Sequence, residues 1–161
     1  MASSNHAADY YESLILDGKM DLVTPDTKPL SHGYYGWAKE TYEHLGFVFA
    51  LGRQNNRSLE NVQIRIGGPR GTDLERYDRG DLRRVRRALA AYLSKRDMAQ
   101  LFIKSIETKD IRDKNGVPFQ IFYGISNNPH GFWSIANARE VIGYDPEDNS
   151  EIRFRQLINE H

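Results

Sequence analysis

From Tyr34 to Ile66 the chain reads YYGWAKETYEHLGFVFALGRQNNRSLENVQIRI, and a change of period inside this stretch decides the fold. Between Tyr34 and about Gly52 there is no proline, and Tyr34, Trp37, Ala38, Tyr42, Leu45, Phe49 and Leu51 recur at helical spacing among Lys39, Glu40, Glu43 and His44. The spacing predicts one long helix. Asn61 to Ile66 then alternates Val62, Ile64 and Ile66 with Gln63 and Arg65 and runs into Gly67, Gly68 and Pro69, the pattern of a strand ending in a loop. A helix followed by a strand indicates an α/β unit.

Upstream of this unit, Asp17 to His32 carries Gly18, Pro25 and Pro29 among polar residues and is followed by Gly33, so it reads as loop. Ala7 to Leu14 supports a helical turn or two behind a short polar start. Downstream, Asp81 to Leu93 places Leu82, Val85, Leu89, Tyr92 and Leu93 on one helical face. Ser94 with Asp97 three residues later resembles a capping box opening a second helix through Ile106. Two successive helices depart from a simple βαβ alternation. Pro118 to Ile125, with Phe119, Ile121, Phe122 and Tyr123, predicts a strand, and Ser134 to Ile142 a helix ended by Gly143. Tyr144 to His161 reads as a tail with one short helix. There is no internal repeat and no low-complexity tract.

Composition narrows the function classes. The 161 residues suffice for one domain with a real core. Equal numbers of basic and acidic residues, 22 of each, argue against nucleic-acid or membrane-surface binding that rests on bulk charge. The absence of cysteine excludes disulfides, thiolate zinc sites and cysteine nucleophiles, and the five histidines lack ligand spacing, so no metal site is expected. No apolar run approaches the ~20 residues that span a bilayer, and Met-Ala-Ser-Ser-Asn-His has neither a basic nor an apolar signal region. A soluble, unprocessed, cytoplasmic protein is the expectation.

Tyr35 and Lys39 stand four apart on the predicted helix, so their side chains leave the same face and reach one small volume. A free tyrosine has a pKa near ~10, and a neighbouring ammonium favours its phenolate, making it able to exchange a proton with a substrate hydroxyl. The plain alternative is a ring packed in the core beside a solvated lysine. Likewise Ser4 and Asn5 serve equally as caps for the helix beginning near Ala7, and a lone His6 is an ordinary surface residue.

The combination changes that balance. Ala2-Ser3-Ser4-Asn5-His6, Tyr34-Tyr35-Gly36-Trp37-Ala38-Lys39, Arg65-Ile66-Gly67, Tyr123-Gly124-Ile125-Ser126-Asn127-Asn128 and Phe132-Trp133 through Ile142-Gly143-Tyr144-Asp145-Pro146-Glu147-Asp148 resemble the NAD-dependent epimerase/dehydratase family of extended short-chain dehydrogenases. The likeness covers nearly the whole chain and is greatest to uronate dehydrogenases and related archaeal-type sugar dehydrogenases. It implies α/β architecture: the C-terminal portion of an NAD(P)-binding Rossmann-like fold, its first βαβ units missing. Residues 1–70 would be the remaining Rossmann-like core with the catalytic helix, and 71–161 the substrate-side helices and strand of the same domain. By the same resemblance Ser4 holds the reacting hydroxyl, Tyr35 removes its proton, and Lys39 depresses the Tyr35 pKa while bonding the nicotinamide ribose. Asn5 and His6 bind the sugar or sugar acid, Ile66 and Gly67 border the nicotinamide of NAD, and the 34–52 helix forms a homodimer interface.

The chain also departs from that pattern. No strand, glycine-rich turn and helix N-terminus suited to a pyrophosphate precede Ser3. The cluster Gly67-Gly68-Pro69-Arg70-Gly71 follows the Tyr35 helix, lacks the spacing and reads as a substrate-side loop. Met1 is therefore expected to be an internal methionine of a longer frame or the start of a truncated product, unable to turn over substrate alone. Gly68 stands where the family often has serine, leaving only backbone to touch substrate. The loop between Ser4 and Tyr35 is several residues longer than the pattern. The family arginine that grips a substrate carboxylate aligns with Arg87, yet a helical wheel turns Arg87 away from the Leu82, Val85 and Leu89 face and toward solvent unless the helix begins later than Asp81. The run Arg83, Arg84, Arg86, Arg87 is a solvated face rather than a nucleic-acid contact. The rival to an oxidoreductase half is a non-enzymatic remnant serving as a dimerising or scaffold module, and a third possibility is a second chain supplying the missing half.

Overall fold

The computed structural model describes residues 1–54, 56–70, 74–78 and 80–160; Gly71 and His161 of the loop and tail discussed above lie outside them. Three parallel strands form one sheet in the order β1 (Ala2–Ser4), β2 (Asn61–Ile66), β3 (Phe119–Gly124). Ala2 to Ser4 pairs with Ile64 to Ile66, and Asn61 to Ile66 pairs with Phe119 to Gly124. Residues 2–4, expected to be a polar lead-in, are thus the first strand. Three small residues carry no strand signal of their own; the central strand beside them supplies the hydrogen bonds.

A 3₁₀ turn (Asn5–Ala8) leads into α1 (Tyr10–Leu16), and α2 (Tyr34–Leu51) closes with Gly52 in the left-handed conformation. The 17–32 segment is loop, with Val23 buried and bridged to Trp133. A second 3₁₀ turn, Leu74–Arg76, precedes α3 (Leu82–Ala91), which Asp81 caps. The expected capping box opens α4 (Lys95–Glu107), where the Ser94 hydroxyl accepts the Asp97 N–H at 3.0 Å. After β3 come α5 (Ala136–Ile142), ended by Gly143, and two short helices where one was expected, α6 (Ser150–Arg153) and α7 (Arg155–Glu160).

The faces of α2 and β2 are the reverse of what their apolar residues suggest. Helix α2 meets the sheet through Gly36, Glu43, Gly46 and Ala50, while Tyr34, Trp37, Tyr42, Leu45, Val48 and Phe49 are exposed. The polar residues Asn61, Gln63 and Arg65 of β2 are the ones buried beneath it. Side chains alternate across a strand, so Val62 and Ile64 face the other layer, toward Phe102 and Ile106 of α4. Close approach, rather than apolar volume, seats α2. A Cβ on Gly36 would lie 2.1 Å from the His6 carbonyl oxygen, and one on Gly46 2.3 Å from Gln63 Nε2.

Between helix and sheet lies a buried ionic cluster. The Arg65 guanidinium donates from Nε to Glu43 Oε1 at 2.8 Å, from one terminal nitrogen to Glu43 Oε2 at 2.7 Å, and from the other to the Tyr123 hydroxyl at 2.8 Å. Ser3 of β1 donates to Glu43 Oε1 at 2.6 Å, so one carboxylate ties three elements together. Burial disfavours the Arg65 charge, but Glu43 and Tyr123 outweigh it and hold the group above its ordinary pKa. Apolar packing fills the rest. The main core runs from Ala8 and Ile15 through Ile64, Leu101, Phe122 and Tyr123 to Trp133 and Tyr144, and a smaller one joins Leu74, Val85, Leu89, Tyr92 and Phe154.

Candidate active site

The C-terminal end of a parallel strand is where an α/β sheet opens to ligands. Here β1 ends at Ser4 and β2 at Ile66, and the N-terminus of α2 passes beside both. The result is an open cleft of about 470 Å³ lined by Ser4, Asn5, His6, Tyr35, Lys39, Ile66, Gly67, Gly68, Arg70 and Arg87 among others. Every residue singled out from the sequence as catalytic, cofactor-binding or substrate-binding borders this one space.

Ser4 sits at the strand end in extended conformation, and its hydroxyl oxygen accepts the His6 N–H at 3.2 Å. It therefore caps the 3₁₀ turn, as the structural reading of its position allowed. Its own proton faces Asn5 Oδ1 at 3.4 Å, a long contact that leaves the donor available. Asn5 is buried, and its side-chain nitrogen has no hydrogen-bond partner among the described residues. Burying an amide donor unpaired costs about 1–3 kcal/mol, so a ligand oxygen at this point would satisfy it.

Tyr35 is 60% exposed and opens into the cleft instead of packing in the core. The Lys39 ammonium lies 5.5 Å from its ring centroid and donates to the Ala2 carbonyl at 3.0 Å, which leaves two of its three donors free. His6 meets the edge of the Tyr35 ring at 5.7 Å. Three residues on, Asp9 accepts from His6 Nδ1 at 2.9 Å through one oxygen and from the His32 N–H at 2.7 Å through the other. It fixes the imidazole and pins the long loop to the site.

Two expectations are corrected. Arg87 does not point to solvent. It lies over the Trp133 ring at 5.9 Å and donates twice to Glu12 of α1, at 2.9 and 3.1 Å. Helix α3 begins at Leu82, which is itself 65% exposed, and is covered on two sides, by α1 and by α6, so a single wheel face misplaces Arg87. Burial works against the Arg87 charge and Glu12 overrides it, raising its pKa. Gly68, in turn, does not turn its N–H to the cleft: that group donates to the Ala91 carbonyl, and its own carbonyl accepts from Leu93 at 3.0 Å.

Asp9, Glu12 and Arg70 were not read from the sequence. Asp9 carries a local signal, its i, i+3 spacing from His6. Glu12 and Arg87 are 75 positions apart, and no local pattern joins them.

No family profile matches the sequence. Among curated proteins it is 33% identical over 162 residues to "Uncharacterized protein YtbQ" of Bacillus subtilis, covering 99% of this chain and 55% of that protein. It is likewise 33% identical over 158 residues to an NAD-dependent glucose-6-phosphate dehydrogenase of Haloferax volcanii, covering 92% and 52%. The chain spans about half the length of the curated relatives it matches. Among solved structures, a glucuronic acid dehydrogenase from Chromohalobacter salexigens superposes with a TM-score of 0.72 at 23% identity, over 100% of this chain and 50% of that one. A mutant uronate dehydrogenase from Agrobacterium tumefaciens complexed with NAD gives 0.69 at 22%, over 99% and 50%. The fold thus matches about half of the Rossmann-like fold of those two structures. Within that class, as its motifs anticipated, the chain resembles the uronate dehydrogenases and their NAD-dependent sugar-oxidising relatives.

Proposed function

We propose that this chain is the substrate-side half of an NAD-dependent oxidoreductase acting on a hydroxyl of a sugar or sugar acid. The observation that carries the reading is the opening of Ser4, Tyr35 and Lys39 into one cleft at the carboxyl ends of two parallel strands. Tyr35, as phenolate, accepts the hydroxyl proton and becomes the phenol, the Lys39 ammonium 5.5 Å from its ring centroid places a positive charge beside it, and Ser4 orients the hydroxyl. Asn5, with its unpaired amide donor, and His6, held by Asp9, bind neighbouring sugar oxygens.

The residues present fit one end of NAD. Lys39 would hold the nicotinamide ribose and the Ile66–Gly67 backbone would border the ring, while NAD when bound supplies the hydride acceptor. The pyrophosphate finds no glycine-rich strand–helix turn among the described residues. Each lost ~1.4 kcal/mol weakens binding tenfold, so the isolated 161-residue chain is inactive and binds NAD poorly. Calorimetric titration with NAD and with glucuronate tests both halves of the reading. Sugar-acid binding without saturable NAD binding is expected. Micromolar NAD binding would refute the loss of the cofactor site, and failure to bind any sugar would refute the substrate site.

A second reading rests on the bare apolar stripe of α2, which suits a homodimer interface or a scaffold. The two are compatible, because Tyr35 opens into the cleft beside the stripe.

A further inference from the structure

Arg87, the arginine aligned with the family's carboxylate-gripping position, has its forked donors turned on Glu12. A guanidinium recognises a carboxylate or phosphate best through two parallel N–H groups, and those of Arg87 at Nε and one terminal nitrogen are already committed to a carboxylate of the chain itself. The pair is three-quarters or more buried at both ends and stacked on Trp133, so it holds α3 against α1 and presents no net charge. Of the other basic side chains in the cleft, Lys39 bonds the Ala2 carbonyl and is assigned above to the nicotinamide ribose, and His6 Nδ1 is held by Asp9.

Arg70 is different. It lines the cleft, forms no hydrogen bond or ion pair with any described residue, and is exposed. It also borders an adjoining recess with Gly68, Tyr77, Arg87 and Tyr92, whose volume of about 20 Å³ admits roughly one water and no sugar. The recess therefore holds one water at most, and the anionic group of a ligand would lie in the larger space beside Arg70.

We infer that Arg70, and not Arg87, is the specificity-determining residue for an anionic sugar at this site, reading its carboxylate or phosphate. The inference rests on the sugar-site reading above. Arg87 is a positioning residue that keeps α3 and the Gly68 strand end in place.

The test is calorimetric titration of the chain with glucuronate, glucose-6-phosphate and glucose. Both anions are expected to bind at least about tenfold more tightly than glucose, with the ratio between them telling carboxylate from phosphate recognition. Arg70→Gln should erase the preference over glucose. Arg87→Lys should keep it while lowering the thermal midpoint, which is measured alongside so that a misfolded variant is not read as a binding defect. Undiminished anion preference in Arg70→Gln would overturn the inference, as would its loss in a folded Arg87→Lys. Equal binding of all three sugars by the unaltered chain would overturn the inference and leave the sugar site standing. Binding of none would sink both.

Discussion

At Gly68 a side chain is missing where space exists for one. A Cβ built there meets the Ala91 carbonyl oxygen at 3.4 Å and two more Ala91 atoms at 3.6 and 3.7 Å, ordinary contacts, and its φ is not in the left-handed region. Gly68→Ser is therefore expected to change stability by less than about 0.5 kcal/mol and to put a hydroxyl into the cleft. Tighter sugar binding by calorimetry would bear this out, and unfolding would contradict it. Gly67 is the opposite case, since a Cβ there would stand 2.3 Å from the Ala91 oxygen. Single residues also set a pH limit. Burial pushes the Tyr144 phenol above its ordinary range, with Asp97 adding to the shift, and its hydroxyl donates to the Ile125 carbonyl at 2.8 Å. Burial raises Tyr123 as well, against the opposing pull of Arg65. A folded pKa above the unfolded value means that the unfolded chain loses its proton first. Stability is thus full below pH ~10 and falls as pH rises beyond it. Urea midpoints measured from pH 8 to 11 should decline, and Tyr144→Phe should flatten the decline while costing about 1 kcal/mol at neutral pH. An unchanged slope in that variant would remove Tyr144 from the account.

The elements show what a sequence can and cannot disclose about its own packing. Helix α2, strands β2 and β3 and the capped start of α4 were legible because period and cap chemistry are local. The direction of α2 was not, because Gly36 and Gly46 give no hydrophobic signal and define the packed face by what they lack. The two glycines make different predictions. At Gly36 the obstacle is the His6 backbone and the Ser31 Cβ, neither of which can swing aside. Gly36→Ala should cost about 1–3 kcal/mol or more and shift His6 resonances. At Gly46 the nearest atoms are the side-chain ends of Gln63 and Asn61, which can move, so Gly46→Ala should be milder. The reverse order in chemical denaturation would show that α2 is seated elsewhere. The buried Glu43–Arg65 pair was equally hidden, since Arg65 reads as the solvent face of an alternating strand. Glu43→Leu alone leaves the Arg65 charge buried without its carboxylate and should cost about 3–5 kcal/mol; the double variant with Arg65→Met should recover most of that. Equal losses in the two would mean that the cluster contributes attraction and not merely registry among β1, β2 and α2.

For the whole molecule, the largest unexplained feature is the apolar outer surface of α2, with Tyr34 90%, Trp37 60% and Leu45 48% exposed along one side. Burying apolar area returns roughly 25 cal/mol per Å², and a stripe of this kind running along an 18-residue helix is a poor surface to leave in water. Two α2 helices packed face to face would cover it without touching the cleft, because Gly36, Glu43 and Gly46 turn the sheet-facing side inward and Tyr35 opens beside the stripe. Sedimentation of the chain is expected to give a dimer, with Leu45→Glu moving it to monomer and Tyr35→Phe leaving it a dimer. The same pair of variants separates this surface from the outer edge of β1, which also presents backbone groups to a partner. If Leu45→Glu remains a dimer, association runs through that edge, and the stripe on α2 must be covered by something other than its own copy.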